Sequence, residues 1–317
     1  MGLFGSLTCL APSADPIEGT TMSITGPILV FLANGVQGGA VVQAALRRGH
    51  PVRRLVRRPQ GSDPVGTETV LGDLDDPRSL AVACAGVAHL VLQVPTGDAA
   101  EMARRAQSVV DAARQAGVRS LVLKLASASR PAPCAEPSFI ANAAVEAVVR
   151  AAGLPCAVLR PTMYLDNLLK PSVTADIVRH GVFSPPIAAE QRIAWTCADD
   201  CAEAAIRLLE RGAYGGDHCI AGPVSATGPE LAATVAKAIG KPVAYHAQLI
   251  ERFEAEVDAA MGQGAGRRIA SKFRYFAERP QEADDILARP FQPTSALAGF
   301  TPTPIEDWIG RHAARFR

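Results

Sequence analysis

From Ile28 to Gly222, short apolar runs alternate with amphipathic segments, and this alternation restricts the fold more than any other feature of the chain. "ILVFL" (28–32), "PVRRLV" (51–56), "TETVL" (67–71), "AHLVLQV" (88–94), "RSLVLKL" (119–125) and "PCAVLR" (155–160) read as strands. Between them, residues 38–49, 76–84, 99–117 and 138–153 carry helical periodicity and stop on Gly49, Gly86, Gly117 and Gly153. Strands that are apolar throughout need cover on both faces, which points to a parallel sheet between helical layers. Right-handed crossovers make that sheet doubly wound, an α/β Rossmann-like architecture. A helix at 199–212 and a strand at 217–222 complete it. Beyond Gly222 the pattern is mostly helical (228–240, 249–262 and 305–316), which predicts a smaller C-terminal domain. The expected division is an extension over 1–22, a dinucleotide-binding domain over 23–160 plus 194–222, and a lid over 161–193 plus 223–317. A cleft between these two domains, at the carboxyl ends of the strands, is the expected site.

Residues 1–22 lack helical or strand period and read as disordered, with Met22 a second candidate start. "MGLFGS" fits an acylation pattern that is short and often met by chance. The net charge of +1 gives no reason to expect nucleic acid as a partner, and no apolar run is long enough for a bilayer. Seven cysteines without framework spacing predict free thiols, a reducing compartment and hence a cytoplasmic protein. Cys197 and Cys201 have no third ligand in pattern, so no metal site is expected.

The segment "ILVFLANGVQGGAVVQAALRRGHPVRRLVRRP" (28–59) has the order strand, glycine turn, helix, strand. A dinucleotide fingerprint places three glycines three residues apart; here the positions are Leu32, Gly35 and Gly38, so the first is lost. Asn34, Gly35 and Gly38 lie where a helix N-terminus would receive a phosphate. About twenty residues on, an acidic residue would hold a ribose hydroxyl; Arg57 and Arg58 stand there instead, which favours the 2′-phosphate of NADP(H) over NAD(H). Arg53 and Arg54 read as a solvated strand end. In "LGDLDDPRSL", Asp76 reads as a helix cap, and Asp73 with Leu74 as an adenine-pocket wall.

"LANGVQG", "LVRR" and "GDLDD", with "AAGLPCAVLRPTMYLDNL" (151–168), "GKPVAY" (240–245) and "TPIEDWIGRH" (303–312), resemble the NmrA-like branch of the atypical short-chain dehydrogenases, together with quinone and isoflavone reductases. The resemblance spans Ile28 to His312. It implies a two-domain protein that binds NAD(P)(H), with Gly35, Gly38, Arg57, Asp73 and Leu74 facing the cofactor. Val94 and Pro95 of "QVPT", and "LASA" (125–128), would lie beside the nicotinamide half.

The departures concern catalysis. Such enzymes carry Tyr-x-x-x-Lys, or the Lys alone, on the helix after the fifth strand; here Ser138 and Asn142 occupy those positions, although Glu146 is kept. Ser127, Asn142 and Tyr164 remain as candidate catalytic residues, Tyr164 as a proton donor or simply as an aromatic filling the domain junction. Three functions fit. The first is an NADPH-dependent reductase of a small apolar acceptor, such as a quinone, enone or related carbonyl. The second is a non-enzymatic NADP(H)-responsive redox sensor with a protein partner. The third is a non-redox activity on a redirected fold.

Overall fold

The structure, a computed structural model, describes residues 24–61, 63–130 and 134–317; the expectations for the first 22 residues lie outside them. The strands are β1 (Ile28–Val30), β2 (Val52–Val56), β3 (Thr67–Leu71), β4 (His89–Leu92), β5 (Ser120–Lys124), β6 (Cys156–Pro161), β7 (Val182–Phe183), β8 (Asp217–Ile220) and β9 (Ala244–Tyr245). The helices are α1 (Val36–Arg47), α2 (Pro77–Cys84), α3 (Ala99–Gln115), α4 (Pro137–Ala151), α5 (Pro171–His180), α6 (Ala198–Arg211), α7 (Gly228–Ile239), α8 (Ile250–Met261), α9 (Ala265–Glu278), α10 (Pro280–Leu287) and α11 (Ile305–His312).

Seven strands form one parallel sheet in the order β3-β2-β1-β4-β5-β6-β8. The first strand is thus central, as the doubly wound reading requires, with Ile28 level with Val52 on one side and His89 on the other. Side-chain alternation sorts the sheet into two apolar layers. Leu29, Leu90, Leu92, Leu121 and Leu123 pack with α2, α3 and α4; Ile28, Val30, Val91 and Val122 pack with α1 and α6. A third cluster around Phe139, Trp195, Phe273 and Trp308 joins the loop after β6 to the C-terminal helices.

Two differences from the sequence reading have physical causes. Strand β1 stops at Val30, two residues early, because Leu32 has φ +53° and turns the chain away from the sheet. Helices α5, α9 and α10 and the short parallel ladder of β7 with β9 were not anticipated. Among the described residues, no helix is long and apolar enough to cross a membrane, and Cys84, Cys134, Cys156, Cys197 and Cys201 are free thiols.

Candidate functional site

The carboxyl ends of β1, β2 and β3 open into a cavity of about 860 Å³. Of the nine residues expected to face a dinucleotide, Asn34, Gly35, Arg57, Arg58, Asp73, Leu74 and Pro95 line it. Val94 does not: it is 4% exposed and belongs to the apolar layer under α2 to α4. Gly38 is also buried, and its service is to packing. A β-carbon there would come within 2.2 Å of the Leu32 carbonyl oxygen, so only glycine lets α1 approach the turn. Asn34 is committed to structure, donating to the Arg58 carbonyl at 3.0 Å and accepting from Arg54 at 2.7 Å.

Helix α1 starts on Gly35 with no side-chain cap and no acidic residue in its first turn. Its leading N–H groups are therefore left to an anion in the cleft, where the helix dipole favours one. Asp76, by contrast, caps α2 as expected, accepting from the Arg78 N–H at 3.0 Å. Arg57 and Arg58 are exposed on the cavity wall, and no described carboxylate pairs with either. Arg53 and Arg54 are not solvated: Arg53 pairs with Glu68, and Arg54, buried, pairs with Asp63 and meets Thr69. Sequence reading missed Arg105, which lines the cavity from α3 while bound to Asp75 and Glu101.

It also missed Lys124, the last residue of β5. Lys124 alternates with Leu123 and so faces the α1–α6 side, fully buried. Its Nζ donates to Tyr164 Oη at 2.9 Å, to Gln93 Oε1 at 3.3 Å and to Gln37 Oε1. Gln37, on the first turn of α1, donates in turn to the Ala126 carbonyl at 3.2 Å. Burial pushes the Lys124 ammonium down to about 8 and pushes the Tyr164 phenol well above its ordinary value, with Cys201 adding to the second effect. Tyr164 thus stays protonated, as a proton donor must be, but holds its proton tightly, while the Lys124 ammonium gives up its own more readily than an exposed lysine. A lysine inside "SLVLKLA" was the available signal, because an apolar strand seldom buries a charge without use for it.

Of the other candidates, Ser127 is half-buried and Asn142 is buried, and neither lines the cavity. Ser138 is turned towards α9, its N–H donating to Ser271 Oγ at 3.2 Å. Glu146 ion-pairs with the buried Arg160 of β6, which also reaches Asp217 of β8 at 3.2 Å. That carboxylate serves architecture.

A second cavity, of about 310 Å³, lies between the segment after β6 and helices α8 and α9. Met163, Asn167, Lys170, Trp195, Phe253 and Phe273 are among its walls. No group of three or more metal-ligating side chains occurs among the described residues.

The profile of the NmrA-like family matches residues 25–309. The chain is 31% identical over 304 residues to the (4-alkanoyl-5-oxo-2,5-dihydrofuran-3-yl)methyl phosphate reductase of Streptomyces griseus subsp. griseus, covering 91% of this chain and 99% of the relative. It is 26% identical over 296 residues to an NAD(P)H azoreductase of Xenophilus azovorans, with the same coverage. Among solved structures, Citrobacter sp. triphenylmethane reductase complexed with NADP(H) superposes with a TM-score of 0.68 at 21% identity, covering 90% of this chain and 99% of the other.

Proposed function

Because this chain belongs to the NmrA-like family, we propose that it binds NADPH in preference to NADH and reduces a small, mostly apolar acceptor such as a quinone, enone or related carbonyl. The observation that carries this reading is the pairing, in one cleft, of an uncapped α1 N-terminus with two arginines that no described carboxylate neutralises. The first suits a pyrophosphate. The second suits a 2′-phosphate, which a guanidinium grips with two hydrogen bonds while stacking on adenine. The full-length relatives are both reductases, and one is named for NAD(P)H.

When bound, the dihydronicotinamide supplies a hydride, and the protein's task is orientation and charge. Gln93, just after β4, and Gln37, on the first turn of α1, are both held by Lys124, and Gln93 stands in the segment where the nicotinamide half is expected. The buried Lys124 ammonium favours the negative charge that a hydride leaves on the acceptor, since a fixed charge acts strongly in a water-poor site. Tyr164 orients that ammonium as a neutral acceptor of its hydrogen bond. In this reading Lys124 supplies from β5 the positive charge that the missing Lys would have supplied from α4.

Oxidation of NADPH over a panel of quinones, enones and azo compounds tests the proposal, with turnover as the expected result. Tight NADPH binding without turnover on any acceptor would replace it with the sensor reading. For the cofactor, Arg57→Ala is expected to weaken NADPH at least about tenfold, equivalent to about 1.4 kcal/mol, and NADH far less. Equal losses for the two in a calorimetric titration would remove the phosphate role from Arg57.

A further inference from the structure

Three arginines line the cavity at the ends of β1, β2 and β3, and their surroundings differ. Arg57 and Arg58 are exposed, and no described carboxylate pairs with either. Arg105 enters from the second turn of α3, its side chain 19% exposed. Its Nε and Nη2 donate to one oxygen of Asp75 at 3.0 and 2.7 Å, and Nη2 also meets Glu101, one helical turn back, at 2.6 Å. Arg104 takes the other Asp75 oxygen at 2.7 Å. Asp75 is anchored in turn, its N–H donating to Asp73 Oδ1 at 3.0 Å in the loop after β3. That loop and α3 are thus tied together at the edge of the cavity. No described residue engages Arg105 Nη1.

Arg104, Arg105, Asp75 and Glu101 carry two positive and two negative charges between them, so this cluster draws a phosphate far less than Arg57 and Arg58 do. What it offers is a plane. A long side chain ordinarily loses rotamer freedom when it stacks on a ligand, but two ion pairs already hold this one. They occupy one edge of the guanidinium and leave the Nη1 end and the flat faces uncommitted. A fixed, planar, weakly hydrated group suits a heteroaromatic base, on whose π-face a guanidinium stacks. Leu74 and Pro95 line the same cavity and supply apolar surface for such a ring. We propose that Arg105 is the base-binding residue of this cleft, its guanidinium lying against the adenine ring of the dinucleotide while Asp75 and Glu101 position it. The assignment rests on the cofactor reading above. The arginines then divide the recognition: Arg57 and Arg58 tell NADPH from NADH, and Arg105 binds what the two nucleotides share.

The test needs no turnover. NADPH and NADH are each titrated by calorimetry into the full chain and its variants. Arg105→Met is expected to weaken both nucleotides by the same factor, about tenfold, so that the ratio of their affinities stays at the wild-type value. Arg105→Lys separates the plane from the charge. A lysine there can still pair with Asp75 and Glu101, so a merely structural tie would be restored, whereas the base contact would not. It should therefore bind both nucleotides no better than Arg105→Met. Asp75→Asn leaves Arg105 in place but loosens it, and should weaken both by a smaller common factor. If Arg105→Met does not fold, Arg105→Lys and Asp75→Asn still decide the matter. A loss confined to NADPH would make Arg105 a third phosphate ligand and overturn the proposal. So would unchanged affinities in Arg105→Met, or full recovery in Arg105→Lys. A wild type that prefers NADPH yet is indifferent to Arg105→Met sinks this inference and leaves the cofactor reading standing. Equal wild-type affinities with a common loss in Arg105→Met do the reverse, and a wild type that binds neither nucleotide sinks both.

Discussion

At the scale of a single residue, the nucleotide turn holds the clearest conflict between local preference and fold. Leu32 is the only non-glycine residue among the described ones with positive φ. A β-carbon in that region costs roughly 1–2 kcal/mol. The turn forms nonetheless, because Gly35 donates to the Leu32 carbonyl at 2.9 Å and Gly38 lets α1 close over it. Leu32→Gly is therefore expected to stabilise the fold by about 1 kcal/mol, less the added freedom of the unfolded chain, and to change NADPH affinity only modestly. Gly38→Ala has nowhere to put its methyl and should lower the thermal midpoint markedly. Urea unfolding and calorimetry on the two variants check this; a Leu32→Gly protein less stable than the wild type by 1 kcal/mol or more would remove the strain argument. The sequence announced that a glycine was missing, but not the sign of φ, which the backbone path after Val30 decides.

Among elements, the joint between α4, β6 and β8 decides most. Arg160 and Glu146 are buried partners, and Asp217 with Arg150 extends the network towards the surface. Removing one member of a buried pair strands the other, at a cost of about 3–5 kcal/mol, whereas replacing both with apolar groups is often close to neutral. Glu146→Leu is expected near 3 kcal/mol, since Asp217 still faces Arg160, and Glu146→Leu with Arg160→Met should recover most of it. A double-mutant cycle in urea with no coupling between the sites would contradict this assignment. Both residues stood out in the sequence as parts of a familiar pattern, but their contact joins different elements, and no spacing rule predicts it. The same is true of Lys124 and Tyr164, forty positions apart in the chain. The strands of the main sheet and the helices that flank it were legible because burial period is local; these pairings were not, because they depend on which strand ends meet.

For the molecule as a whole, buried titratable groups shape the response to alkali. Lys124 and Lys272 fall from 10.5 to about 8 on folding, chiefly by burial. Between those values the unfolded chain binds more protons than the folded one, so stability rises with pH across the window. Buried thiols act in the opposite sense. Burial raises Cys84 and Cys201 from 9.0 to about 11 and raises Cys156 and Cys197 as well, so above pH 9 the unfolded chain loses protons first. The thermal midpoint in reducing buffer is thus expected to climb through pH 8 and turn over above 9. A midpoint already falling between 7 and 8 would mean that the lysines are not buried as charges. The doubly wound parallel sheet behind this core was readable from alternation; the position of the charges inside it was not.

The strand order also carries a consequence for the chain as it leaves the ribosome. From β4 onward, each new strand of the main sheet adds at the same free edge in the order in which it is made: β4, β5, β6 and then β8. No strand waits for a partner still to be translated, except at the last step, where the stretch containing α5 and β7 comes between β6 and β8. During that interval β6 is a bare apolar edge and Arg160 has Glu146 but not Asp217. Nascent chains halted there are the ones a chaperone would meet, and the ones most exposed to edge-to-edge pairing with their neighbours.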